Sequence, residues 1–175
     1  GSFQSVMFLV GGFVTALSVP LIKILTTKAF YGASMYVPML TAAMVFSAFA
    51  NFMGSVYVVE KRSKNSFLTT MVGAVATLIL TFVLINTPLG VQGAAIATFI
   101  SYLLVFVIRA VNASKYIPFK LYWVNVILNT AIIIVQTVFM VMGLPFNYLV
   151  QAVCVVLLCI VNFKFIKVFM VKMLS

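Results

Sequence analysis

The sequence predicts an all-α membrane protein, a polytopic bundle of about six transmembrane helices. Hydrophobic residues make up 65% of the 175 positions and charged residues only 7%. Soluble domains carry about 25% charged residues, so this chain lacks the side chains that would keep its surface in water. Its apolar runs also lack the polar residue at every second position that a transmembrane strand shows. Helices are the other way to pair the backbone in hydrocarbon.

Six apolar runs approach or reach the length of about 20 residues that a bilayer-spanning helix needs. They cover residues 6–25, 35–59, 67–85, 91–108, 121–142 and 148–163, and the last continues toward residue 170. The breaks between them carry charges, glycine or proline, which begin and end helices. In chain order they read TTKAFYGAS, KRSKNS, NTPLG, NASKYIPFK and GLPFN. None can hold a soluble domain, so we expect residues 1–175 to form one transmembrane domain.

The basic residues are distributed unequally over these breaks. Three clusters follow the second, fourth and sixth runs: Lys61, Arg62 and Lys64; Arg109, Lys115 and Lys120; Lys164, Lys167 and Lys172. Six alternating spans place all three clusters on one side, which the positive-inside rule makes cytoplasmic, together with both ends of the chain. Topology therefore explains the net charge of +10, which also attracts anionic headgroups. No soluble basic module is present that could bind nucleic acid.

The composition excludes most catalytic and metal chemistry. Histidine is absent and Glu60 is the only acidic residue, so paired carboxylates and nucleophile–histidine couples are impossible within this sequence. Cys154 and Cys159 cannot complete a zinc shell, and no glycine-rich phosphate loop occurs. Glu60 follows the second run beside Lys61, and we expect it at the aqueous rim. We expect neither enzymatic activity nor a cofactor.

Uncharged polar residues form stripes along three of the runs. On a helical wheel Tyr122, Asn125, Asn129 and Gln136 fall within about 60° of one another. Similar stripes comprise Ser47, Asn51 and Ser55, and Asn147, Gln151 and Asn162. Such stripes either bond across to neighbouring helices or line a hydrated cavity whose amides and hydroxyls suit sugars.

Two basic residues have a similar pair of interpretations. Lys23 follows Pro20 near the outer end of the first run. Its ammonium either snorkels to the headgroups or faces the lumen and draws an anionic group toward the exit. Arg109, at the inner end of the fourth run, can act in the same way at the entrance. The candidate lumen residues are therefore Lys23, Asn51, Arg109, Asn125, Asn129 and Gln136.

The fourth run also carries small residues at four-residue spacing. Gly93, Ala97 and Ser101 form one stripe, beside a second of Gly90, Ala94 and Thr98. Adjoining stripes of small residues let another helix approach closely. We interpret this smooth face as a packing surface.

Two segments resemble the C-terminal half of bacterial polysaccharide flippases, covering about residues 30 to 120. They read YVPMLTAAMVFSAFANFMGSVYVVEKRSKNSF and LINTPLGVQGAAIATFISYLLVFVIRAVNASKYI. These flippases export O-antigen and capsule repeat units and belong to the multidrug/oligosaccharidyl-lipid/polysaccharide exporter superfamily. The shared pattern is Tyr36, Val37, Pro38 and Leu40, the basic loop, the small-residue helix over 90–102, then Arg109, Lys115 and Tyr116. Many members carry asparagines before the outer loop, where this chain has only Asn86.

The resemblance implies a fold of two six-helix lobes around a central cavity, with this chain as the C-terminal lobe. The opening GSFQSV has no initiator methionine, which also leads us to expect a fragment. The implied activity moves undecaprenyl-diphosphate-linked oligosaccharide from the cytoplasmic to the outer face of the bacterial inner membrane for surface polysaccharide biosynthesis. The implied partners are this polyprenyl-diphosphate-linked oligosaccharide, the lipid bilayer, the N-terminal lobe, a polysaccharide polymerase and glycosyltransferases.

Two alternatives stay open at this point. One is a multidrug antiporter of the same superfamily, which is expected to carry an acidic residue in its cavity, and the predicted spans have none. The other is a non-transporting membrane scaffold for a polysaccharide synthesis complex, in which the small-residue stripe is the partner face.

Overall fold

The computed structural model describes residues 2–25, 27, 32, 35–115, 123–142 and 147–174. Within these residues it contains helices and turns but no strand, which confirms the all-α prediction. The α-helices are α1 (Ser2–Leu25), α2 (Val37–Val59), α3 (Ser63–Ile85), α4 (Val91–Ala113), α5 (Trp123–Val141) and α6 (Asn147–Leu174). Nearly all of the described residues of each apolar run therefore lie on one α-helix.

The helices α2 to α5 are long and apolar enough to cross a membrane. In α1 and α6 the described apolar stretches are shorter, covering Gln4–Ser18 and Tyr148–Phe163. This pattern is that of a multi-pass helical membrane protein. The count of about six spans stays a prediction.

Two helix boundaries differ from the apolar runs in a way that matters for the site. The third run begins at residue 67, but α3 begins at Ser63, and the fourth run ends at 108, but α4 continues to Ala113. Within α3 the hydroxyls of Thr69 and Thr70 donate back to the carbonyls of Asn65 and Ser66. Arg62, at the N-terminal cap of α3, makes no side-chain capping bond. Arg109 lies inside α4, one turn before its end.

The chain divides into two compact units. Unit 1 comprises Gly1–Ala42 and Lys120–Ser175, and unit 2 comprises Ala43–Phe119. In unit 1, α1 packs against α5 and α6, and α5 packs against α6. Phe8 and Leu158 are fully buried there, and Gly12 lets α1 approach the side chain of Leu158 closely.

Unit 2 is built on a hairpin of α3 and α4. A Cβ at Gly93 would lie 2.5 Å from the carbonyl oxygen of Leu84, and a Cβ at Gly73 would collide with Val105. The close approach expected from the small-residue stripe is therefore present at Gly93. An aromatic cluster joins α2 to α4, with ring centroids 5.5–6.1 Å apart, formed by Phe46, Phe49, Phe99 and Phe106.

The turn between α2 and α3 carries basic side chains on a tight helix cap. The N–H of Arg62 donates to the carbonyl of Tyr57 at 2.7 Å, and that of Lys61 donates to Val58 at 3.1 Å. This pair of bonds is a Schellman motif, in which Lys61 takes the left-handed position at φ 52° that glycine usually fills. Lys61, Arg62 and Lys64 are all exposed at this end of unit 2.

Candidate functional site

Arg109 links all three helical segments of unit 2. From α4 its Nη1 donates to the carbonyl of Ala50 in α2 at 2.7 Å. Its Nε donates to the Thr69 hydroxyl in α3 at 3.0 Å, and its Nη2 donates to the Thr70 hydroxyl at 2.8 Å. A longer bond of 3.4 Å joins Nη2 to the carbonyl of Ser66. The guanidinium is thus held by a fixed set of acceptors.

This buried cation has only neutral partners in the described structure. Arg109 is 5% exposed, and its four acceptors are two carbonyls and two hydroxyls. Glu60, the only acidic side chain of the sequence, is exposed. A buried charge paired only with dipoles keeps much of its field, because the surroundings screen it weakly. The four bonds also leave one Nη1 hydrogen of the guanidinium without a partner among the described residues.

A cavity of about 280 Å³, with both polar and apolar wall residues, adjoins Arg109 within unit 2. Its wall includes a hydroxyl that is 2% exposed and has no hydrogen-bond partner among the described residues, that of Ser101. A cavity this size falls just below the range of about 300–1,000 Å³ typical of small-molecule sites. The polar wall residues are Ser47, Asn51, Thr70, Thr77, Ser101, Tyr102 and Arg109.

Gly54 makes room for the guanidinium. A Cβ at this position would lie 2.7 Å from Nη1 of Arg109, closer than side-chain atoms approach one another. A larger residue at position 54 would push the charged group away from its bond to Ala50. The glycine is therefore part of the site, although it carries no chemistry itself.

A second polar cluster lies inside unit 1. Asn129 in α5 and Asn162 in α6 exchange amide hydrogen bonds of 3.3 and 2.8 Å, and both side chains are fully buried. Nearby, Nε2 of Gln151 donates to the backbone carbonyl of Gln136 at 3.0 Å. The polar side chains of unit 1 that are no more than 3% exposed are Ser5, Thr15, Ser18, Asn129, Gln136, Gln151 and Asn162.

The side-chain amide of Gln136 is exceptional within this cluster. It is fully buried, and neither Nε2 nor Oε1 has a hydrogen-bond partner in the part of the chain that the structure describes. Its Oε1 lies against Gly12 of α1. The hydroxyl of Thr15, one turn further along α1, is likewise buried and without a described partner. Leaving such groups unpaired is costly in an apolar interior.

The six lumen candidates fall into separate places. Asn51 and Arg109 line the same cavity of unit 2. Asn129 and Gln136 are buried in unit 1, and Asn125 is half-buried on α5. Lys23 belongs to α1, but its side chain lies outside what the structure describes. A role for any of them at a lumen stays a prediction.

The chain matches no protein-family model, no curated protein and no solved structure.

The hydroxyls of α3 are the site residues that the sequence interpretation missed. The hydroxyls of Thr69 and Thr70 bond Arg109, and Thr77 lines its cavity. From the sequence, the third run was notable only for having few asparagines. The available signal was the spacing of Ser66, Thr70, Gly73 and Thr77, which repeats every three or four residues and marks one helix face.

Proposed function

We propose that this chain is the C-terminal part of a membrane flippase for undecaprenyl-diphosphate-linked oligosaccharide repeat units. The flippase moves them from the cytoplasmic to the outer face of the bacterial inner membrane, where they enter surface polysaccharide biosynthesis. The chain acts by binding and conformational change, without catalysis or a cofactor. Its partners are the lipid-linked oligosaccharide, the bilayer, an N-terminal lobe, and the polymerase and glycosyltransferases of the pathway.

The observation that carries this proposal is the guanidinium of Arg109, which has no carboxylate partner among the described residues and lies beside a cavity whose wall includes hydroxyls and an amide. Ionisable residues inside membrane helices are expensive, and they mark substrate pathways more often than packing. A cation without a carboxylate partner attracts an anion such as a diphosphate, while Asn51, Ser101 and Tyr102 offer the donors and acceptors that a sugar needs. The resemblance of the segments around Arg109 to polysaccharide flippases supports the same assignment.

The proposed topology follows from the basic clusters. Lys61, Arg62 and Lys64 are exposed at the end of unit 2 where α4 also ends. With the positive-inside rule, this end faces the cytoplasm, as do both ends of the segment. Arg109 then lies about 6 Å from the cytoplasmic end of α4, at the rise of 1.5 Å per residue, where an entering anionic group would first meet it.

The experiment uses cells that lack the full-length gene and retain the other enzymes of the pathway. Mass spectrometry of lipid extracts measures undecaprenyl-diphosphate-linked repeat units, and an impermeant glycosidase reports the membrane face on which they lie. We expect accumulation on the cytoplasmic face and loss of surface polymer. Unchanged lipid together with normal polymer would overturn the proposal and leave drug export or scaffolding.

Complementation with variants links the activity to the site. Full-length protein with Ser101→Leu fills the cavity without touching the guanidinium bonds, and we expect it to restore little polymer. Val111→Leu, a matched apolar change at an exposed position of the same helix, should restore export fully. Equal complementation by both variants, at equal protein levels in the membrane, would show that the cavity has no part in transport.

A further inference from the structure

We propose that one face of α3 is a specific binding site for an anionic phospholipid, which holds an acyl chain in an apolar groove and its phosphate at Lys64. Only 11% of the apolar stretch of α3 is buried. The exposed remainder of the helix must be covered in the membrane. Its side chains indicate the chemistry of the molecule that covers it. The proposal does not depend on what the protein transports.

The groove is formed by α3 alone and is wholly apolar. It has a volume of about 420 Å³. The short side chain of Ala76 leaves room between longer neighbours, which stand exposed on both sides. A flexible hydrocarbon chain can lie along this shallow, open groove between the exposed side chains. The lining residues are Leu68, Met71, Val72, Val75, Ala76 and Ile79.

The length of the groove fits one leaflet. From Leu68 to Ile79 the helix rises by about 16 Å at 1.5 Å per residue. Half of a hydrocarbon core that is about 30 Å thick is about 15 Å. The groove therefore accommodates the acyl chain of a lipid from the leaflet in which α3 begins.

The charge at the start of α3 selects the headgroup. Lys64, Leu68, Met71, Val75 and Ile79 share a helix face about 80° wide, at 100° per residue. Lys64 is exposed one turn before the groove begins, so its ammonium lies where a phosphate would sit above the chain.

Further basic residues strengthen this selection. Lys61 and Arg62 are exposed in the preceding turn, against the single acid Glu60. Basic clusters beside a membrane helix attract anionic headgroups. A phospholipid with net negative charge is therefore preferred over a zwitterionic one.

The test is photo-crosslinking of the whole chain in phosphatidylcholine vesicles that contain a trace of diazirine-acyl phosphatidylglycerol or diazirine-acyl phosphatidylcholine. Mass spectrometry of peptides locates the labelled residues. We expect phosphatidylglycerol to label residues 68–79 several times more strongly than phosphatidylcholine does. Lys64→Gln should lower this preference about fivefold, the effect of one lysine at a membrane surface. Val75→Trp, which fills the groove, should reduce labelling by both lipids.

Matched controls separate the site from general surface effects. Lys115→Gln removes an exposed lysine after α4, and Val111→Trp enlarges an exposed apolar residue of α4. Neither should change the labelling of α3. Equal labelling by the two lipids in the unaltered chain would overturn the proposal. So would a preference that Lys64→Gln leaves undiminished, or an α3 that stays unlabelled because protein covers it.

Discussion

The contact between Gly54 and Arg109 allows the strength of the buried network to be measured. In Gly54→Ala, the new Cβ starts 2.7 Å from Nη1, whereas ordinary contacts begin at 3.4 Å, so the guanidinium must retreat by about 0.7 Å. The same nitrogen makes the 2.7 Å bond to the carbonyl of Ala50, which a shift of that size brings to the limit of hydrogen bonding.

The expected magnitude is the difference between two opposing effects. Losing one hydrogen bond from a charged donor costs about 1.5–3 kcal/mol, while alanine in place of glycine stabilises a helix by about 1 kcal/mol. We therefore expect Gly54→Ala to lower the free energy of unfolding by about 0.5–2 kcal/mol. In an Arg109→Met background the obstruction is gone, and Gly54→Ala should instead stabilise by up to about 1 kcal/mol.

The assay is unfolding of the purified chain in mixed micelles by titration with sodium dodecyl sulfate, followed by far-UV circular dichroism. The four proteins form a double-mutant cycle, and Gly32→Ala serves as a control because its Cβ would enter open space. Should Arg109→Met fail to fold, Arg109→Lys replaces it, since lysine has no η1 nitrogen. An effect of Gly54→Ala that is equal in both backgrounds, within about 0.5 kcal/mol, would refute the reasoning.

Three further predictions concern the packing of the two units. Gly93→Ala should destabilise the α3–α4 hairpin by more than Gly73→Ala does, with unfolding by detergent titration as the measure. The reason is that the first Cβ meets the backbone carbonyl of Leu84 and the second meets a side chain. Asn129→Ala should cost about 1 kcal/mol by removing two interhelical bonds of about 0.6 kcal/mol each, and an unchanged unfolding midpoint would contradict the amide pair. Gln136→Met should be neutral or stabilising by about 1 kcal/mol, because it removes a buried amide that has no described partner. A clear loss of stability would instead indicate that an ordered water bonds this amide.

The sequence was sufficient to predict the class of protein and the position of its helices. Composition excluded a soluble fold, and nearly all of the described residues of the six apolar runs lie on helices. The errors were at the ends, where α3 and α4 continue into polar segments that an apolar run does not include. The spacing of Gly93, Ala97 and Ser101 also predicted the close approach at Gly93, because a small-residue stripe has a direct geometric consequence.

The partners of the polar residues were decided only by the tertiary structure. Asn129 and Arg109 were both candidates for a lumen, and nothing in their spacing distinguishes them. Asn129 has an amide on α6 within reach, whereas Arg109 has only neutral acceptors and lies beside a cavity. Helical periodicity shows which residues share a face of one helix, and it carries no information about which face of another helix stands opposite. Whether a buried amide or guanidinium is paired depends on that second face. The sequence therefore determined the membrane helices, and the packing between the helices determined the site.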